Sequence, residues 1–351
     1  MALITTLEEY REERYRALEI SLLEETSRRM GREFERLRGL CLGEWQRMLA
    51  DALAVQGEAH IPCAYMSISF LNTSLLDGKP LLQVDFYNGD WVYGEPWARG
   101  RMAADFLFHG WDAFCVKALD DSFYVRNKLR RTAIKSLFWE TAEKLAYLFA
   151  CFAKYFMKEL SELPAFQTLE KEPVMYVTCG TYLDWQERIY GILPEIDLTD
   201  PPDNEETAFR EFHGKSYREK AFQNLDLRHC RFYDCVFRSS VLSRTDLSDA
   251  YFARCRFYDT DFVQLSVAGC AWEECTLTFC RFQASGTRSE GDEYFADAEM
   301  VRSKILGVQA IGCDFSHFRL KDCEVADAIL EDVRVEHSDW GEFLAEVKTG
   351  G

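Results

Sequence analysis

The sequence predicts a mixed fold in two parts, an N-terminal α+β domain and a C-terminal repeat architecture whose unit is five residues. Three observations carry this expectation. A chain of 351 residues exceeds what one small core organises. Large apolar residues recur at every fifth position from Phe222 to Phe282 and again, with Ala310 the one exception, from Met300 to Trp340, a period that neither a helix nor a strand produces. Between the two parts, Pro194, Pro201 and Pro202 stand among six acidic residues from Glu195 to Glu206, the composition of a linker.

The first part is read as residues 1–193. Thr6 and Glu9 have capping-box spacing and open a long charged helical segment, in which Gly31, Gly39 and Gly43 are candidate breaks. Met66, Ile68 and Phe70 alternate with Ser67 and Ser69, as in a half-buried strand. Asp77-Gly78 between Leu75-Leu76 and Leu81-Leu82, with Val84 and Phe86 continuing the alternation, predicts a hairpin. A second helical region is expected from about Val125 to Leu163. The run from Leu145 to Ala153 lies between Lys144 and Lys154 and is too short to span a bilayer.

After a linker at 194–216, the repeat region is expected over residues 217–340. Its first run of centres is Phe222, Leu227, Phe232, Phe237, Leu242, Leu247, Phe252, Phe257, Phe262, Val267, Trp272, Leu277 and Phe282. The second is Met300, Ile305, Ala310, Phe315, Leu320, Val325, Leu330, Val335 and Trp340. Positions two before the centres are mostly small, including Cys230, Cys235, Ser240, Thr245, Ala250, Cys255, Thr260, Cys270, Cys275 and Cys280. One small and one large side chain per five residues, separated by turn formers such as Ser248-Asp249, describes a short wall followed by a corner. The polar stretch at about 283–297 reads as a loop thrown out from one corner. Residues 341–351 read as a cap and tail.

This pattern resembles the pentapeptide-repeat family. The resemblance implies a right-handed quadrilateral β-helix with four pentads per coil, the small and large residues pointing inward. Residues 20 apart should then stack: Phe232, Phe252 and Trp272 in one column, Leu242, Phe262 and Phe282 in another, and Phe237, Phe257 and Leu277 in a third. Cys235, Cys255 and Cys275 should form a column of buried, reduced thiols. Twenty-two pentads imply a stack on the order of 25 Å tall at the usual strand spacing.

Charge and composition narrow the function. Lys and Arg number 41 against 59 Asp and Glu, a net charge of −18. Such a surface repels nucleic-acid phosphates and anionic lipids, so neither direct nucleic-acid binding nor membrane association is expected. Thirteen cysteines without an export signal point to the cytoplasm. Cys270, Cys275 and Cys280 at intervals of five lack the paired spacing of zinc ligands, and no metal or cofactor is expected. His60 and Cys63 are close in sequence, but no motif supplies a catalytic partner. Trp91, Tyr93, Trp97 and Trp111 could line a sugar or base pocket, although aromatic density of this kind more often builds core. Arg126, Lys128, Arg130 and Arg131 form the one basic cluster, read as a solvated helix start or a salt-bridge partner.

The sequence therefore points to a non-enzymatic protein-binding scaffold that uses the rigid repeat surface. The partner is a protein, and a homodimer is also an option. An acidic surface for that partner is expected at Glu290, Asp292, Glu293, Asp322, Glu324, Asp327, Glu331 and Asp332. Family resemblance supplies an alternative, an acidic mimic of DNA that binds DNA gyrase or another type II topoisomerase. Against it, residues 222–282 hold eight acidic and seven basic side chains, close to balance. A third reading places an enzyme or small-molecule site in the N-terminal domain, the only part with room for a pocket.

Overall fold

The computed structural model describes residues 6–76, 78–121, 131–201, 206–284 and 298–340. Its contacts divide the chain into two compact units, Met1–Gly191 and Ile192–Gly351. The basic cluster Arg126, Lys128 and Arg130, the acidic residues Glu290, Asp292 and Glu293, the loop read at 283–297 beyond Ala284, and the segment 341–351 lie outside the described residues.

The first unit begins with α1 (Leu7–Tyr10), whose capping box is complete. Thr6 Oγ1 accepts from the Glu9 amide at 3.1 Å, and the Glu9 carboxylate accepts from the Thr6 amide at 3.1 Å. Helices α2 (Arg16–Arg32) and α3 (Phe34–Ala59) follow. The break falls at Glu33, where φ is −104° and ψ 18°, while Gly39 and Gly43 sit inside α3 rather than ending it. Their propensity penalty, about 1 kcal/mol each, is outweighed by the buried stripe Leu37, Cys41, Trp45, Met48, Leu49 and Ala52.

Five strands form one sheet: β1 (Cys63–Phe70), β2 (Leu81–Tyr87), β3 (Ala98–Ala103), β4 (Lys171–Thr181) and β5 (Gln186–Ile192), in the order β3-β2-β1-β4-β5. β1 and β2 are antiparallel and β1 and β4 parallel. β1 and β2 form a hairpin, but the arm expected at Leu75-Leu76 is occupied by a 3-10 turn (Asn72–Leu75), and Asp77 of the expected turn lies outside the described residues. Met66, Ile68, Phe70, Leu82, Val84 and Phe86 share one buried sheet face. Helix α3 packs on β3, α4 (Trp111–Asp121) packs on α2, and α5 (Arg131–Lys154) packs on β4. Gly100 permits the first contact, since a Cβ there would lie 2.4 Å from Met48.

The opposite sheet face carries Tyr65, Ser67, Ser69, Gln83, Asp85, Tyr87, Arg99, Arg101, Tyr176 and Thr178 in register. This polar face is hydrogen-bonded throughout its centre. Arg99 donates to the buried Asp85 carboxylate at 2.6 Å, Gln83 donates to Asp85 at 2.8 Å, and Arg101 donates to Gln83 at 2.9 Å. Thr178 donates to Gln186 at 2.9 Å and lies 3.0 Å from Ser67.

The second unit is a stack of coils made of three-residue strands. Six strands build each of three walls. The first wall runs from Glu211–His213 through Arg231–Tyr233, Tyr251–Ala253, Ala271–Glu273 and Glu299–Val301 to Arg319–Lys321. The second runs from Ser216–Arg218 to Glu324–Ala326 and the third from Ala221–Gln223 to Ile329–Glu331. A fourth wall is marked by parallel bridges Asp226↔Asp246, Asp246↔Ser266 and Asp314↔Arg334. The stack thus starts before residue 217, inside the stretch read as linker. There Phe212 already occupies a buried central position in the first wall, a start hidden in the sequence because acidic and basic residues surround it.

Corners explain the polar residues of the repeat. Two positions after each centre the backbone enters the left-handed region, as at Asn224, Asp234, Asp249, Asp259, Asp322, Asp327 and Asp332. Asn and Asp tolerate this conformation better than most residues. Corner amides donate to the coil below, for example Asp259 to the Thr278 carbonyl at 2.9 Å. Met300 pairs with Trp272, 28 positions earlier instead of 20, so eight additional residues are accommodated between Gln283 and Glu299.

Candidate protein-binding surface

The interior of the coil is filled by side-chain columns. Phe232 stacks on Phe252 with ring centroids 4.7 Å apart, and Phe252 on Trp272 at 5.9 Å, both within 8° of parallel. Phe237 stacks on Phe257 at 4.9 Å, Leu277 pairs below Phe257, and Phe262 stacks on Phe282 at 4.6 Å. Trp340 is buried against Phe315 at 5.3 Å. The small position works as a hydrogen-bonding rung. The thiols of Cys235, Cys255 and Cys275 donate to the carbonyls of Phe212, Phe232 and Phe252 at 3.3–3.4 Å. Ser240, Thr260 and Ser303 make the same bond to Tyr217, Phe237 and Trp272. These cysteines are free thiols. A hydrogen bond with Cys235 lowers the Cys255 thiol, but its bond to Cys275 and burial together push it up to about 12.

The outward residues of the upper coils pair with residues one coil away. Arg254 grips Asp234 through two bonds of 2.8 Å, Arg281 binds Asp261 at 2.6 Å, and Arg231 binds Glu211 at 2.7 Å. Lower down, Arg302 reaches Glu273 and Glu274, Lys304 meets Glu324 at 2.9 Å, and Arg334 meets Asp314 at 3.5 Å. These ladders neutralise most acids on the walls. Asp322, Asp327, Glu331 and Asp332 differ. They are exposed, and among the described residues none has a basic partner.

Exposed apolar side chains gather at the same end. Among the described residues of this unit, the large ones are Phe279, Ile311 and Ile329, exposed to 68%, 46% and 50%. Ile311 and Ile329 project from the third wall in successive coils. Phe279 occupies the corner between the second and third walls at φ 55°, a conformation costly for a bulky residue. Its ring lies against the next corner down, Gly307, where a Cβ would come within 2.8 Å of it. Sequence reasoning missed all three, although each falls off the two inward positions of its pentad and counting in fives could have found them.

Residues 230–264 match the family model of pentapeptide repeats, in eight copies. The second unit is a pentapeptide-repeat β-helix. Solved structures similar to it include a trypsin-treated variant of QnrB1, a plasmid-mediated fluoroquinolone resistance protein. That match has 20% identity over 37% of this chain and 70% of the other, with a TM-score of 0.23. Rfr23 from the cyanobacterium Cyanothece 51142 matches at 14% identity over 36% of this chain and 92% of that one, TM-score 0.23. HetL, involved in heterocyst differentiation regulation in Nostoc sp. strain PCC 7120, matches at 12% identity, 39% and 88% coverage, and a TM-score of 0.14. A comparison with curated proteins finds no match.

Outside the pentapeptide-repeat unit, the residues weighed as a catalytic or ligand site do not converge. Cys63 is buried, which pushes its thiol up to about 12, while His60 is an exposed left-handed helix cap. Trp111 packs edge-on to Phe108 at 5.5 Å, Trp91 stacks on Tyr65 at 4.9 Å, Trp97 lies 5.6 Å from Phe86, and Tyr93 is 95% exposed. A groove of about 510 Å³ runs between α2 and α5, lined by Leu23, Glu24, Ser27, Arg28, Lys144, Tyr147, Leu148 and Cys151. Among the described residues no group of His, Cys, Asp and Glu is placed to share a metal ion, and no helix is long and apolar enough to cross a membrane.

Proposed function

We propose that the chain is a non-enzymatic protein-binding scaffold whose pentapeptide-repeat unit supplies a rigid docking surface. The observation that carries this reading is the division of labour in the coil. The described inward side chains pack into one apolar core, while the flat walls present exposed Phe279, Ile311 and Ile329 beside acids that have no described basic partner. Apolar side chains on a surface that could equally have been polar mark a contact site. The first unit supports the same reading, since its candidate nucleophile is buried and protonated and its tryptophans are dispersed through packing contacts.

Charge distribution favours a general scaffold over DNA mimicry. A mimic of the duplex needs unpaired acids along the length of the rod, and here the upper coils pair theirs with arginines one coil away. Affinity capture with the full chain from its native host tests the scaffold reading, with a stoichiometric protein partner as the expected result. Repeated failure to retain any protein would overturn it. A DNA gyrase supercoiling assay tests the alternative, and no inhibition or protection is expected at micromolar protein.

A further inference from the structure

We infer that the lower third wall, with its corner at Phe279, docks a cationic protein segment carrying apolar side chains; this rests on the scaffold reading above. Three independent features meet there. Phe279, Ile311 and Ile329 occupy three successive coils, spanning roughly 10 Å along the rod at the usual strand spacing. Asp327, Ile329, Glu331 and Asp332 follow one another across the last coil, so unpaired acids border the apolar residues directly. Finally, in the coil between, the two corners that flank the third wall are glycine. Gly307 and Gly312 have φ of 61° and 67°, and a Cβ on Gly312 would meet nothing within 4 Å. Gly307 is covered by the Phe279 ring, whereas the bare corner at Gly312, next to Ile311, leaves that edge of the wall open to close approach by another backbone.

The corner aromatic strengthens the case. Other left-handed corners of the stack are mainly Asp, Asn, Arg, Glu, His or Gly. The other aromatic one, Phe209, is buried against His229 at 4.5 Å. Phe279 instead combines an unfavourable backbone conformation with an exposed ring, a combination found where strain serves contact. The occupant follows from complementarity. Apolar side chains cover the Phe279–Ile311–Ile329 patch, and Lys or Arg side chains meet Asp327, Glu331 and Asp332, whose charges no described base neutralises.

The test uses the full chain and a fluorescent 16-residue peptide of alternating leucine and arginine, with a leucine–glutamate counterpart as control. Saturable, salt-sensitive binding of the first and none of the second is expected. Phe279→Ser, Ile311→Ser and Ile329→Ser together should weaken binding at least tenfold, and Asp327→Asn with Glu331→Gln and Asp332→Asn should flatten its salt dependence. Gly312→Asn, tolerated at a left-handed corner, should block the site with the melting temperature unchanged. Equal binding by the apolar triple variant, or no binding by the wild type, overturns the inference. Photo-cross-linking in host lysate from p-benzoylphenylalanine at Phe279 or at Tyr233 separates the two levels of the proposal. Cross-links at Phe279 to a Lys- or Arg-rich segment support it. Cross-links to protein at Tyr233 alone overturn this site and leave the scaffold standing, whereas none at either position counts against both.

Discussion

Two phenylalanines of the same unit provide a controlled test of what holds the coil together. Phe252 is buried between Phe232 and Trp272, with Phe257 edge-on at 5.5 Å. Phe279 projects into solvent from a corner. Truncating a buried Phe to Ala removes its transfer energy and leaves a cavity, together about 3–5 kcal/mol. The coil is poorly able to collapse into that cavity, because backbone hydrogen bonds to the coils above and below hold each wall in register. Phe252→Ala should therefore cost about 4 kcal/mol, and Phe279→Ala within about 0.5 kcal/mol of nothing. With a urea m-value of about 2 kcal/mol/M, the difference is a midpoint shift of about 2 M for the β-helix transition followed by far-UV circular dichroism. Equal shifts for the two variants, or less than 1 kcal/mol for Phe252→Ala, would refute the packed-column account.

Three further outcomes are expected. Burial raises the thiols of Cys41, Cys63, Cys230 and Cys280 to about 12, so between pH 9 and 12 the unfolded chain loses protons that the folded chain keeps. Stability should fall with rising pH in that window, by about 1.4 kcal/mol per pH unit for each such thiol, and an identical urea midpoint at pH 8 and pH 10.5 would contradict this. Asp85→Ala strands the buried Gln83 amide and the part-exposed Arg99 on the polar sheet face, and losing these hydrogen bonds costs about 1–3 kcal/mol. The melting temperature of the first unit should drop while Phe279 and the third wall keep their exchange protection. Gly100→Ala presses a methyl group into Met48 and should cost about 1–3 kcal/mol, seen as a lower melting temperature that Met48→Ala partly restores.

Legibility in the sequence differed between the two units for a physical reason. The β-helix repeats one local rule, so the inward columns at Phe232, Phe237, Cys235 and their successors could be placed by counting in fives. In the first unit each contact is made once. Nothing in the spacing of Gly39 and Gly43 reveals that α3 runs through them, since the buried stripe from Leu37 to Ala52 decides it. The polar face around Asp85 was equally hidden, because Ser67 and Ser69 read as the solvent side of a half-buried strand although both are buried.

The acidic surface shows the same division. Sequence alone identified Asp322, Asp327, Glu331 and Asp332 as negative, and corner chemistry accounts for the three aspartates, which hold left-handed backbone. Whether those charges are available was a matter for the coil. Residues 20 positions apart become neighbours only once the chain has turned four corners, and that step pairs Arg254 with Asp234 and Arg281 with Asp261 while leaving Asp322, Asp327, Glu331 and Asp332 without a described basic partner. The same step sets Phe279, Ile311 and Ile329 beside those charges. Period and composition determined the unit of the fold. The stacking of units, a long-range event, decided which of its charges and apolar groups a partner can reach.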